Sequence, residues 1–282
     1  MCIRDRAGVL VPISSTGQQT WMESISVKGD VRLRYEGIDE DGEEERNRGR
    51  FRARLGITAD VNDNVTATVQ FASGGDNPVS TNQTFADGFS RKNIGLDLAY
   101  LQWVVNDYTK VYGGKMKNPF HRAGGHALVW DSDMNPEGAA IAFDKNGFFG
   151  NAGLMFVEER SSADDSLLIG LQGGYVFDLS EGTRLTTGVT YYDYTDTEGN
   201  TPFYNGKPRG NSSDIDGNLI YDYNQFEVFA EMETTIGGQP FSVFVDYVSN
   251  GEAESQDTGL SLIHICRCRR IETSRSRWSP YH

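Results

Sequence analysis

The chain has 282 residues, with 26 basic against 40 acidic side chains and a net charge of −14. That acidity argues against nucleic acid as a partner. Mean hydropathy is −0.49, and no run approaches the ~20 apolar residues of a membrane-spanning helix, so a helical membrane protein is excluded.

The N-terminal residues 1–6, "MCIRDR", stand apart from the rest of the chain. Residues 260–265 back-translate as CTG TCT CTT ATA CAC ATC, and the reverse complement of that string contains ATG TGT ATA AGA GAC AG, which reads Met1 to Asp5 and opens the codon of Arg6. The two ends therefore resemble translated sequencing adapter. Residues 1–6 and about 260–282 are expected to be artefactual and are set aside in reading the fold, with no packed role expected for 266–282. All three cysteines (Cys2, Cys266, Cys268) lie in those ends, so "CRCRR" is not read as a metal motif. Residues 7–24 read as a periplasmic lead-in, and 25–259 as the folded part. Residues 7–259 hold 19 basic and 38 acidic residues, a charge of −19.

From residue 25 the chain alternates. Ile25, Val27, Val31, Leu33 and Tyr35 fall on one parity; Lys28, Asp30, Arg32 and Arg34 fall on the other. Residues 46–61, "RNRGRFRARLGITADV", repeat the pattern more sharply. Arg48, Arg50, Arg52 and Arg54 alternate with Phe51, Ala53 and Leu55. A helix would spread these arginines around its circumference, whereas a strand puts them on one face. The same parity runs through 65–72, 94–103, 110–117, 139–144, 148–156, 167–177, 185–191, 226–233 and 241–247. On this reading Leu98, Tyr100 and Tyr112 belong to the apolar face. That makes about eleven strands, many near the ~9–11 residues that cross a bilayer and longer than the usual five or six.

Short turns at 62–64, 106–108, 145–147, 179–182 and 237–240 alternate with long polar loops at 36–47, 73–93, 118–138, 158–166, 195–224 and from 249 onward. Short turns at one end and long loops at the other describe a transmembrane β-barrel. Closure leaves no backbone group unpaired in lipid. The expected fold is all-β, an antiparallel transmembrane barrel whose apolar face meets lipid and whose arginine face meets a water-filled lumen. An odd strand count does not close a single-chain bacterial barrel, so the barrel is expected to be truncated, with open edges at its first and eleventh strands. A soluble β-sandwich or lipocalin-like barrel would also alternate, but small soluble barrels close with about eight strands.

The segments "ISVKGDVRLRYEG", "RNRGRFRARLGITADVND", "NPVSTNQTFADGFS", "IGLDLAYLQW", "GGKMKNPF", "MNPEG", "VEERSS" and "TPFYNGKPRGNSSD" occur in this order. Together they resemble the putative porin family of Gram-negative outer membranes. The resemblance implies an outer-membrane channel for small hydrophilic solutes and ions, surrounded by lipid, with no enzymatic step and no cofactor. It also implies about sixteen strands in the whole protein and, by analogy with general porins, a homotrimer. In general porins the third long loop folds inward and narrows the pore, which makes 118–138 the constriction candidate. Its acids Asp131, Asp133 and Glu137 would then face Arg32, Arg34, Arg48, Arg50, Arg52 and Arg54 across the eyelet. The simpler reading has these arginines paired with acids on neighbouring strands.

Other motifs are weaker. His121 and His126 with Asp131 and Asp133 offer metal-ligand types but no fixed spacing. "DIDGN", with Asp214 and Asp216, lacks the glutamate that completes a calcium loop. Tyr191, Tyr192, Tyr194, Trp103 and Trp130 are candidates for an interfacial girdle. An outer-membrane enzyme would need a nucleophile and an oriented base, and no such trio is spaced for it. A non-conducting structural or adhesin barrel is the remaining alternative.

Overall fold

The computed structural model describes residues 24–39, 42, 44–208, 211–253 and 258–266, the last segment as backbone only. It contains one antiparallel sheet of thirteen strands. These are β1 (Ile25–Ile38), β2 (Arg46–Asn62), β3 (Val65–Ser73), β4 (Gln83–Thr84), β5 (Ile94–Asn106), β6 (Thr109–Lys115), β7 (Glu137–Lys145), β8 (Phe148–Glu158), β9 (Ser166–Ser180), β10 (Thr183–Tyr194), β11 (Tyr223–Ile236), β12 (Gln239–Asn250) and β13 (Thr258–Cys266). Each long strand pairs with the next in an unbroken meander. The two-residue β4 leaves this path and pairs with β2 opposite Arg50 and Phe51.

The five short connections match those read from the sequence. Two of them follow from backbone chirality. Asn146 and Gly147 have φ of 53° and 84°, and Gly237 and Gly238 have 58° and 76°. Two successive positive φ values make the turn whose twist matches a hairpin, and Asn-Gly and Gly-Gly adopt it at least cost.

Polarity is inverted relative to a soluble protein. On β1, Val31, Leu33 and Tyr35 are 76%, 70% and 65% exposed, whereas Arg32 and Arg34 between them are partly buried. The outward parity of the later strands is likewise apolar, as with Phe156 on β8, Leu171 on β9, Val189 on β10 and Phe226 on β11. A sheet that shows its apolar parity to the outside and its charged parity to the inside has hydrocarbon as its outer solvent. At the short-turn end Phe148, Tyr175 and Phe177 cluster with ring centroids 4.5 Å apart. Lys145 sits 4.1 Å above the Tyr108 ring nearby.

Three expectations are corrected. The β3–β5 register shifts between Gln70 and Phe71. That bulge turns Leu98 inward, where it is buried, and Tyr100 inward to meet Tyr112 at 6.3 Å. Alternation places these residues on the outer face because it cannot anticipate an extra residue. Tyr192, Tyr194 and Trp130 are not girdle residues; all three are buried inside the barrel, and only Trp103 and Tyr191 of that group face outward. Finally, β12 is not an open edge, since residues 258–266 pair along it from Ser249 to Phe241. A free edge accepts any extended chain through its backbone groups alone, so this pairing carries no information on the origin of the segment. Residues 267–282 lie outside the described residues. Among those described, no strand pairs β1 with β13 and the barrel is not closed.

Candidate functional site

The β1–β2 register sets the arginines directly opposite one another. Arg32 pairs with Arg52 and Arg34 with Arg50, while Asp30 faces Arg54 and Glu36 faces Arg48. Like charges in register repel, and the two acids bracket them. Glu36 accepts from Arg34 at 2.7 Å, from Arg48, and from Arg50 at 3.4 Å. Asp30 accepts from Arg52 at 3.0 Å and Arg54 at 2.6 Å. The loop after β3 supplies the remaining acceptors. Arg32 donates to the Asn82 side chain at 2.6 Å. Arg50 donates to Ser80 Oγ at 3.2 Å and to the Asn82 carbonyl at 3.1 Å. Five of the six guanidiniums therefore share two wall carboxylates, and the strip keeps an excess of positive charge.

The long connection between β6 and β7, residues 116–136, does not extend outward. Met116, Phe120, Leu128, Val129, Trp130 and Met134 are buried in one apolar cluster with Met155, Leu168, Tyr192, Tyr194, Tyr223 and Val248, from the inner faces of β8 to β12. Phe120 meets Tyr192 edge-on at 5.1 Å. The turn Ala123–Gly125 lies against β11 and β12. Further along, Asp133 reaches the other wall. Its carboxylate lies 3.8 Å from Arg52 Nη1 and accepts from the Thr81 N–H and Oγ1, each at 3.2 Å. Eight strands of the sheet path separate β2 from β12, so this segment crosses the lumen as a strap.

Asp133 and Arg52 are thus in contact rather than facing each other across a gap. Asp131 folds into its own turn, accepting the Asp133 N–H at 2.7 Å. Glu137 is the first residue of β7, is exposed, and pairs with Lys115 at 2.8 Å. The histidines are not brought to the strap acids: His121 faces Glu231 and His126 faces Asp246. Among the described residues no three His, Cys, Asp or Glu side chains gather as a metal site. Asp214 closes its own turn by accepting the N–H groups of Asp216 and Asn218 at 2.9 and 2.8 Å. Beside the far end of the strap, a cleft of about 390 Å³ opens between it, the loop after β3 and the helical turn Phe203–Gly206.

Sequence reasoning misses Glu36 and the acceptors Ser80 and Asn82. Continuing the β1 alternation by one step, from Arg34 to Glu36, finds the first. Nothing local marks the other two.

An all-β antiparallel sheet with an apolar outer face, a charged inner face and a loop drawn through its lumen defines the outer-membrane porin class. Residues 39–218 match the family described as "Putative porin", and the chain belongs to that family. No curated protein sequence matches the chain. Among solved structures it is similar to OprB of Pseudomonas putida in its high-pH form, with 12% identity and a TM-score of 0.50. That likeness, one of fold, covers 79% of this chain and 65% of OprB, so the chain spans about two-thirds of that protein's length.

Proposed function

We propose that the protein is an outer-membrane porin through which small hydrophilic solutes and ions diffuse passively. The observation that carries this reading is the strap, which crosses the lumen beside a strip of partly exposed guanidiniums. Arg32, Arg34, Arg48, Arg50, Arg52 and Arg54 line one side of the narrowest passage. Asp131 and Asp133 lie on the strap itself, and Glu137 where the chain leaves it. Fixed charge at close quarters favours polar solutes over apolar ones. Bilayer lipid covers the outer face, and three copies assemble as in general porins. The reading involves no cofactor and no covalent chemistry. Residues 1–6 and 260–282 belong to the same proposal as adapter-derived ends, and the gene recovered from source DNA will differ there.

One observation favours a second reading. The apolar cluster around Phe120 and Trp130 packs inside the lumen against β8 to β12, as a plugged structural barrel would require. Single-channel recording of the full-length protein in a planar bilayer separates the two. Stepwise openings with a reversal potential under a salt gradient establish the porin. A folded, heat-modifiable barrel that never conducts establishes the plug.

A further inference from the structure

The inner wall formed by β11 and β12 carries an unusual load. Glu227, Glu231 and Asp246 are all buried there. Among the described residues no lysine or arginine forms a salt bridge with Glu231 or Asp246; the two strap histidines reach them, and Asp246 also meets the neighbouring acid Glu227. Buried carboxylates are costly unless something compensates them.

The strap's "HRAGGH" stretch fits that wall at two points. His121 stacks on Phe229, ring centroids 5.2 Å apart, with Nε2 3.4 Å from Glu231. His126 stacks on Phe244 at 4.7 Å and 13°, with Nε2 2.9 Å from Asp246 Oδ2. Gly124 and Gly125, at φ of 60° and 62°, turn the chain so that both rings point to the wall. A Cβ on Gly124 would lie 2.1 Å from the Phe244 ring, so only glycine lets the turn approach so closely. The tautomer of His126 follows from its other nitrogen. Nδ1 accepts the Leu128 N–H at 2.9 Å, which leaves Nε2 to carry the proton of a neutral ring; it lies 2.9 Å from Asp246 Oδ2 without being aimed along a hydrogen bond. At the opposite end the strap meets the barrel through Thr81, through the 3.8 Å contact between Asp133 and Arg52, and through Asn135, which donates to Asp97 at 2.7 Å.

We infer that His126, seated between Phe244 and Asp246, is the positioning residue that fixes the strap and hence the bore of the channel, with His121 on Phe229 and Glu231 as a second anchor. The inference rests on the porin reading for its consequence but not for its geometry. Two near-isosteric variants divide the histidine's contacts. H126Q keeps a donor near the Nε2 position and loses the acceptor for Leu128; H126N does the reverse.

The full-length protein and its H126Q, H126N, D246N and F244L variants are compared by single-channel conductance and by trypsin cleavage after Arg122. In the docked strap Arg122 donates to the Trp130 carbonyl at 3.0 Å, which protects it. The expected result is wild-type conductance and protection for H126Q. H126N and D246N gain a larger, noisier conductance and are cut at Arg122 while remaining heat-modifiable barrels. Equal conductance and equal protection across the folded variants overturns the anchor. If the wild type does not conduct, the porin reading fails, and the Arg122 cleavage pattern still decides whether His126 holds the strap. F244L removes the stacking surface without touching a charge, so it repeats the test if D246N does not fold.

Discussion

Glu36→Gln isolates the charge that holds the arginine strip. The substitution is nearly isosteric, so packing is preserved and only the carboxylate is lost. Glu36 is 9% exposed at its side chain, and its three arginine partners are 34%, 21% and 14% exposed. A hydrogen bond to a charged group contributes about 1.5–3 kcal/mol. Of the three contacts, those to Arg34 and Arg48 are short, and the one to Arg50 at 3.4 Å is weak. Solvent in the lumen screens part of each. The sum comes to about 2–4 kcal/mol, close to the cost of removing one partner from a buried pair. The amide that replaces the carboxylate can still accept one of the three bonds, so the lower half of that range applies. The measurement is the urea midpoint of reversible unfolding from lipid vesicles, in low and in high salt. Loss of stability should shrink at high salt, because the exposed excess of guanidinium charge is then screened. A change below about 0.5 kcal/mol in low salt would show that the arginines are solvated one by one and that Glu36 does not bind the strip together.

Three further predictions test other parts of the structure. Val189→Arg, on the outer face, should impair insertion or cost about 2–4 kcal/mol near the bilayer midplane; Thr58→Arg, one parity inward on β2, should insert normally, and equal behaviour of the two would refute the inverted polarity. Gly170→Ala would put a Cβ 2.3 Å from the Phe120 ring, and an overpacked site costs about 1–3 kcal/mol, read as a lowered unfolding midpoint with greater cleavage of the strap. A double-mutant cycle on Arg52→Gln and Asp133→Asn should give a coupling under about 1 kcal/mol, because the contact is too long for a hydrogen bond at 3.8 Å and Arg52 already pairs with Asp30 at 3.0 Å. A larger value would make that contact a second firm anchor for the strap.

Fold class, the five short turns and the side of the sheet that meets lipid are all legible in the amino-acid order. Each is local, since alternation has a period of two and turn residues declare their own φ. The arginine strip is legible for the same reason. Asp246 and Glu231 lie on the inward parity of β12 and β11, but their histidine partners lie over a hundred residues earlier. The most useful signal is an irregularity. Phe229, Phe244, Val248, Leu168 and Met155 are apolar residues on the parity that otherwise faces water. Each one marks where the strap lies against the wall, because an inward apolar side chain needs something other than solvent to cover it. The three-dimensional arrangement alone reveals what that cover is. It also reveals that Asp133 touches Arg52, that Glu36 gathers three arginines, and that a bulge turns Leu98 and Tyr100 inward. Loop path, pair register and bulge position depend on contacts between residues distant in the chain, and no periodicity along the sequence encodes them.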